Sequence, residues 1–266
     1  MTRHPATPPS TPRLHAGGKL SFRRRVKEVE DDGTLPCIEG GENPPALEEL
    51  VLGKPRHVEI EVGPGKGAFL VAAAAVAPET FFLGIEAAPG YARHAAAQVR
   101  EAGLGNARLL IDNAKLYLQD RVPVGALARV HVYYPDPWPK RRHRGRRFFT
   151  DETPAILQRC LADDGLALIA TDNAAYAGQI LLIMGSSPLF VRDREEEARL
   201  LAAGAGHAFS PTNFEKKYIE EGRVLRRFAY RRQPGPLAAL PVRAQVPQAN
   251  SEPASDSGAG SGADDE

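Results

Sequence analysis

Short apolar runs alternate with longer alanine-rich or amphipathic segments through the middle of the chain. The short runs predict β-strands, and the longer segments between them predict α-helices. The predicted strands are His57–Val62, Thr80–Ile85, Ala107–Ile111, Val130–Tyr134 and Leu166–Ala170. The predicted helices are Lys66–Ala77, Ala88–Ala102, Asp151–Leu161 and Asn173–Met184, with a turn at Asp163-Asp164-Gly165 before the fifth strand.

This alternation favours an α/β fold. Short apolar strands separated by helices indicate a parallel sheet that is covered on both faces. In such sheets ligands bind beyond the carboxyl ends of the strands, so functional residues should directly follow strands. Glu59 does not fit this pattern, because it alternates with Val58 and Ile60 in a strand that should be buried.

Composition permits one folded domain with extensions at both ends. We expect a disordered basic tail over residues 1–20, an N-terminal approach segment over 21–55, a folded domain over 56–232, and a disordered acidic tail over 233–266. The formal net charge is only +1. That balance hides basic segments at 140–147 and 216–232, so it does not argue against a nucleic-acid partner.

Cysteine content and hydropathy indicate the cellular compartment that we expect for this protein. The chain has two cysteines, Cys37 and Cys160, a number that cannot form a cysteine-based zinc site and does not suggest a disulfide framework. We therefore expect a cytoplasmic protein with no bound metal. No apolar run approaches the length of a membrane span, and the N-terminus has no apolar core of a secretory signal.

A glycine loop follows the first predicted strand. Gly63, Gly65 and Gly67 would let the backbone approach a ligand closely, and the next helix offers its N-terminus. The spacing is one residue tighter than the dinucleotide-binding pattern. Glu61 precedes the loop, where it would repel a pyrophosphate but suit an ammonium group. Both features favour S-adenosylmethionine.

Two more strands end in polar residues. Glu86 follows the second strand, where an acid can accept hydrogen bonds from ribose hydroxyls. Its alternative is an acid at the approach to a helix. Asn113 follows the third strand, where it could contact an adenine edge, although asparagine is also common at turns.

The most distinctive segment is Tyr134-Pro135-Asp136-Pro137-Trp138-Pro139-Lys140. Proline fixes its own φ and restricts the preceding residue, so the Asp136 carboxylate should sit on a stiff backbone. Arginines and a histidine follow directly, as a polyphosphate partner would require. The alternative is a proline-rich turn that leads into a solvated charge run.

With the glycine loop, this segment resembles the tRNA (guanine-N7-)-methyltransferases of the TrmB type. The resemblance covers about Arg56 to Arg232. It implies a Rossmann-like class I methyltransferase with a mostly parallel, seven-stranded sheet and helices on both faces. It also implies S-adenosylmethionine as the methyl donor and N7 of guanosine 46, in the tRNA variable loop, as the acceptor. We expect a monomer or homodimer with tRNA as its partner and no membrane.

The resemblance assigns roles by position. Glu61, Glu86 and Asn113 resemble cofactor contacts, although many relatives have Asp where Asn113 stands. Asp136 resembles the catalytic acid and is expected to face the cofactor as well. The implied substrate-binding residues are Lys140, Arg142, His143, Arg144, Arg146, Arg147, Asp172, Thr212, Asn213, Phe214 and Glu215.

Some of these residues have local alternatives. Thr171-Asp172 could cap the helix from Asn173, and Thr212–Glu215 could form a capping box. The arginine-rich strand Arg223–Arg232 could hold phosphates or form the solvated face of an edge strand. Rival functions are methylation of another RNA or of a small molecule, non-catalytic RNA binding, and nicotinamide-dependent dehydrogenation.

Overall fold

The computed structural model describes residues 33–202 and 220–240. Its strands are β1 (Cys37–Glu39), β2 (His57–Val62), β3 (Thr80–Ile85), β4 (Ala107–Ile111), β5 (Leu127–Tyr133), β6 (Leu161–Thr171), β7 (Phe190–Arg192) and β8 (Arg226–Arg232). Its helices are α1 (Leu47–Leu50), α2 (Ala68–Val76), α3 (Pro89–Glu101), α4 (Ala114–Asp120), α5 (Thr153–Cys160), α6 (Ala174–Gly185) and α7 (Arg194–Ala202), with a 3-10 helix at Arg141–Arg146. The predicted tail over residues 1–20, the Thr212–Glu215 motif and residues 241–266 lie outside the described residues.

All the described strands form one sheet in the order β1-β4-β3-β2-β5-β6-β8-β7. Only β8 runs antiparallel to its neighbours, so the sheet is mostly parallel, as predicted. The sheet has eight strands instead of the predicted seven. A short strand, β1, comes from the approach segment and pairs in parallel with β4, where Cys37 faces Leu109.

Helices cover both faces of this sheet. Along β3, Phe81, Leu83 and Ile85 pack into one buried cluster, whereas Phe82 packs into another. Successive strand residues point to opposite faces, so each cluster marks one face. Helices α4, α5 and α6 contribute to the first cluster, and α2, α3 and α7 to the second. None of the helices in the described ranges is long and apolar enough to cross a membrane.

The predicted turn at Asp163-Asp164-Gly165 is wrong, because these residues form an irregularity inside β6. The pairing of β6 with β5 shifts register between Leu161 and Leu166. Asp164 has a φ of 62°, and a Cβ on Gly165 would lie 2.9 Å from the carbonyl oxygen of Ala162. A left-handed residue next to a glycine lets the strand absorb extra residues as a bulge.

Strand β8 is not the edge strand that the sequence allowed as an alternative. It lies between β6 and β7, and arginines at its end make ion pairs within the chain. Arg231 Nη2 lies 2.5 Å from Asp193 Oδ2, and Arg232 pairs with Asp163. These two guanidiniums therefore stabilise the fold, because each is already paired with a carboxylate of the chain.

Candidate active site

The glycine loop joins β2 to α2 at the carboxyl end of the sheet. Gly63, Gly65 and Gly67 have φ values of 69°, 57° and 79°, all in the left-handed region that favours glycine. A Cβ on Gly67 would also lie only 2.8 Å from Cβ of Ala95. The missing side chain therefore lets the start of α2 pack directly against α3.

Glu86 braces this loop from the end of β3. Its Oε2 accepts a hydrogen bond of 3.1 Å from the backbone N–H of Gly65, and its Oε1 accepts one of 2.9 Å from Ala88. Each carboxylate oxygen has a second lone pair, so a ribose hydroxyl could still donate to it. The structure thus brings Glu86 to the glycine loop, where it also holds the start of α3.

Glu61 lies beneath the same loop and is 2% exposed. Burial, followed by the charge of Glu86, raises the pKa of Glu61 to about 8. Within the described part of the chain, its Oε2 is buried without a hydrogen-bond partner. A buried, unpartnered carboxylate oxygen is costly to keep. The site therefore fits a ligand that carries a cationic N–H donor, such as the ammonium of S-adenosylmethionine.

Asn113 follows β4 and caps α4. Its Oδ1 accepts hydrogen bonds of 3.1 Å from the Lys115 N–H and 3.3 Å from the Leu116 N–H. The turn role that the sequence left open is therefore present. The side chain is exposed at the same edge of the sheet as Glu86. Because the cap uses the oxygen, the side-chain N–H groups are the part suited to a ligand.

Asp136 stands in a constrained loop after β5. Tyr134 and Trp138, on either side of it, have φ values of 52° and 37°. Such conformations cost about 1–3 kcal/mol each for residues other than glycine, and they persist where the surroundings enforce them. The Tyr134 N–H donates a hydrogen bond of 2.8 Å to the carbonyl of Ala170 in β6. The Asp136 side chain itself is exposed.

The sheet order brings the two loops together. Strands β2 and β5 are parallel neighbours, with Val62 opposite Val132. The glycine loop and the Asp136 loop therefore leave the sheet side by side at its carboxyl edge. This pairing fulfils the expectation that residues following different strands meet at one site.

Most of the basic run forms an exposed 3-10 helix beside Asp136. The Arg146 guanidinium lies 5.2 Å from the ring centroid of Trp138, and His143 contacts that ring edge-on at 5.7 Å. Lys140, Arg142 and Arg144 are exposed. Arg147 differs from them, because it is half-buried and points towards α6.

Asp172 directly follows β6, the next strand of the sheet. Its Oδ2 accepts a hydrogen bond of 2.7 Å from Arg223, and its side chain is 19% exposed. Asn173, not Asp172, caps α6 through a 2.9 Å hydrogen bond from the Tyr176 N–H, while the Thr171 hydroxyl accepts one of 3.2 Å from the Asn173 N–H. Asp172 therefore stands at the carboxyl edge with its carboxylate paired to Arg223.

A buried network below the site was not predicted as such. His131 Nε2 lies 2.8 Å from Glu59 Oε2, and His131 Nδ1 lies 2.8 Å from the hydroxyl of Tyr133. Phe69 of α2 packs on His131, with ring centroids 4.7 Å apart. This network accounts for Glu59. The sequence does show polar residues at alternate positions of two strands. This signal predicts a buried polar network only if it is also known that the two strands are neighbours.

Fold and site together define a methyltransferase, and a family model described as a putative methyltransferase matches residues 55–227. A tRNA (guanine-N(7)-)-methyltransferase of Nitrobacter hamburgensis is 30% identical and covers 87% of this chain and 93% of its own. The enzyme of that name from Chlorobium phaeobacteroides is 37% identical and covers 66% of this chain and 81% of its own. The chain belongs to the tRNA (guanine-N(7)-)-methyltransferase family.

Among solved structures, the chain is similar to the aminoglycoside resistance methyltransferase NpmB1. The TM-score is 0.45 at 19% identity, over 73% of this chain and 98% of that one. The family assignment rests on the sequence relatives and the family model.

Proposed function

We propose that this protein transfers a methyl group from S-adenosylmethionine to N7 of guanosine 46 in the variable loop of tRNA. The observation that carries the proposal is the buried oxygen of Glu61 under the glycine loop, which has no hydrogen-bond partner among the residues that the structure describes. That loop lies beside the loop that presents Asp136. Membership of the tRNA (guanine-N(7)-)-methyltransferase family supports the choice of acceptor.

The residues of the carboxyl edge suit the methyl donor. Glu61 would bind its ammonium, and the backbone of the glycine loop would lie against its methionine part. Glu86 would accept from the ribose hydroxyls, and Asn113 would donate to the adenine edge. When bound, the cofactor supplies a methyl group on a positively charged sulfur.

The acceptor chemistry requires alignment more than proton removal. Guanine N7 carries a lone pair, so no base is needed to deprotonate it before the methyl group is transferred in line. Holding the reacting groups in that geometry can lower the barrier by several kcal/mol. Positive charge develops on the purine as N7 is alkylated. The Asp136 carboxylate would stabilise that charge and orient the base.

Other side chains would hold the RNA. Asp172 lies at the end of β6 and would complete the guanine pocket, with Thr212 and Glu215 from the segment outside the described residues. Lys140, Arg142 and Arg144 would bind phosphates while the base is drawn out of its stack, which costs a few kcal/mol. A tRNA substrate agrees with the cytoplasmic setting that we expect.

The test is methyl transfer to transcribed tRNA. With labelled S-adenosylmethionine, tRNA that carries guanosine 46 should be labelled, and the same tRNA with adenosine 46 should not. Mapping of the product should locate 7-methylguanosine at position 46. Equal labelling of both transcripts would exclude this position, and labelling of ribosomal RNA alone would support the rival RNA substrate.

A further inference from the structure

We propose that Arg147 is a positioning residue that holds the Asp136 loop on helix α6, and does not bind phosphate like its neighbours. This inference rests on the proposed function, because it concerns the geometry of that site. It departs from the sequence-based expectation, which placed Arg147 with the substrate-binding cations.

The guanidinium of Arg147 joins the two parts. Its Nη2 donates a hydrogen bond of 3.1 Å to the carbonyl oxygen of Trp138, two residues after Asp136. Its Nη1 donates to Oε1 of Gln179 on α6. The guanidinium also lies over the ring of Tyr176, 5.2 Å from its centroid. Three contacts thus fix the planar group between the loop and the helix.

These contacts bury part of the guanidinium, and Arg147 as a whole is half-buried. The Nε atom of Arg147 is buried and has no hydrogen-bond partner within the described residues. Turning the group towards a phosphate would break its hydrogen bonds to Trp138 and Gln179. Arg144, three residues earlier, is by contrast exposed.

Helix α6 holds the end of the basic run through the same two side chains. Gln179 Nε2 donates a hydrogen bond of 3.0 Å to the carbonyl of Phe149, and the Tyr176 hydroxyl accepts one of 3.2 Å from the Phe149 N–H. Gln179 and Tyr176 therefore anchor both Arg147 and Phe149. The two ends of the loop between Trp138 and Arg147 are therefore held together.

This anchor also relates the two carboxylates of the proposed guanine pocket. Asp172 stands just before α6, while Asp136 stands just before Trp138. The pKa of Tyr176 is raised chiefly by burial, with a smaller contribution from Asp136, and Arg147 opposes the shift. Asp136 and Arg147 thus have opposite effects on the pKa of the Tyr176 hydroxyl. Arg147 sets the distance between the Asp136 loop and the helix that follows Asp172.

Substitution of Arg147 by lysine distinguishes a role in positioning the loop from a role in binding phosphate. A lysine keeps the positive charge but lacks the planar fork that bonds two acceptors while lying over a ring. Arg147→Lys should therefore behave like Arg147→Ala if the residue positions the loop. Gln179→Leu should reproduce the effect, because it removes the acceptor on α6 without changing any charge.

We would measure kcat, tRNA affinity and its salt dependence for these variants, with Arg144→Ala as the matched comparison. Arg147→Ala, Arg147→Lys and Gln179→Leu should each lower kcat at least about tenfold, since small misplacements are costly in an aligned reaction. Their salt slopes should stay close to that of the parent. Arg144→Ala should instead weaken tRNA binding and reduce the slope by about one.

A second readout does not need activity. Trp138 is the only tryptophan in the chain, so fluorescence reports on this loop directly. Acrylamide quenching should increase in Arg147→Lys and Gln179→Leu but not in Arg144→Ala. Thermal unfolding would identify any of the three variants Arg147→Ala, Arg147→Lys and Gln179→Leu that fails to fold. The proposal would then be tested with the other two.

The proposal is overturned if Arg147→Lys keeps parental kcat and quenching while Arg147→Ala loses tRNA affinity and salt slope. That pattern would make Arg147 a phosphate ligand. Unchanged quenching in both Arg147→Lys and Gln179→Leu would also overturn it. If the parent protein failed to methylate tRNA, the proposed function would fall, whereas the quenching result would still decide whether Arg147 holds the loop.

Discussion

Glu59 and His131 are diagonal neighbours on the adjacent strands β2 and β5, with Oε2 of Glu59 2.8 Å from Nε2 of His131. Glu59 is 6% exposed, so its charge must be matched inside the protein. Arg129 supplies a second, longer ion pair at 3.6 Å. The pair lies beneath Phe69, the second residue of the helix that follows the glycine loop.

Removing one partner of this pair should destabilise the fold. Glu59→Ala should lower the free energy of unfolding by about 3 kcal/mol, because it leaves a buried polar group without its partner. His131→Ala should have a similar effect, and the double variant should cost less than the sum. Urea denaturation measures all three values. Full additivity would show that the two side chains do not act as a pair.

The same pair predicts how stability depends on acid. Burial acts to raise the pKa of Glu59, but the hydrogen bond and charge of His131, with the charge of Arg129, hold it below the ordinary value of 4.5. A carboxyl with a lowered pKa contributes stability above its ordinary pKa, and this is lost as pH falls through the folded value. Glu59→Gln should therefore flatten the loss of stability below about pH 4.5.

Glu61 should link cofactor binding to pH. Its pKa of about 8 means that the free protein holds a proton there at neutral pH. A cationic ligand favours the carboxylate, so the affinity for S-adenosylmethionine should rise with pH until the ligand's own ammonium, with an ordinary pKa of about 8, loses its proton. Titration calorimetry in buffers of different ionisation enthalpy would detect the released proton.

Glu61→Gln is the control for that prediction. It should weaken binding and remove the pH dependence, because the amide neither titrates nor attracts an ammonium. The raised pKa also means that Glu61 lowers the stability of the free protein as pH rises from about 4.5 towards about 8. If the cofactor affinity of Glu61→Gln depends on pH in the same way as that of the parent protein, Glu61 does not bind the cofactor.

Asp136→Asn should separate catalysis from cofactor binding. The amide keeps the shape of the side chain but cannot stabilise positive charge on the purine. We expect kcat to fall by about 10²-fold to 10³-fold, as for other preorganised electrostatic groups. Cofactor affinity, measured by calorimetry, should stay within a few-fold of the parent. Normal turnover would refute the catalytic role of this carboxylate.

Gly67→Ala should destabilise the protein more than a glycine substitution without neighbours. Gly67 has a φ of 79°, and a Cβ there would lie 2.8 Å from Cβ of Ala95. Gly53 is the matched control, because it has a φ of 69° and a Cβ there would have no atom of the described residues within 4 Å. Both variants incur left-handed strain of about 1–2 kcal/mol. Only Gly67→Ala adds a clash between α2 and α3, and equal unfolding midpoints would argue against that contact.

The hydrophobic pattern was sufficient for the central part of the fold. Strands β2, β3 and β4 have the predicted bounds, because their runs are short, apolar and flanked by helices or turns. The glycine loop and Asp136 could be predicted to share one edge, since each follows a parallel strand. The short strand β1 could not, because three residues carry too little periodicity to stand out from a loop.

Contacts between residues that are far apart in the sequence decided the features that local sequence patterns could not predict. The sequence by itself determined which residue types stand at the ends of the strands, and hence the chemistry of the site. It could not distinguish Arg144 from Arg147, because both belong to one basic run. Only the packing of α6 gives Arg147 its partners Trp138 and Gln179. Likewise, Glu59 and His131 are 72 residues apart, and only the order of the strands brings them into contact.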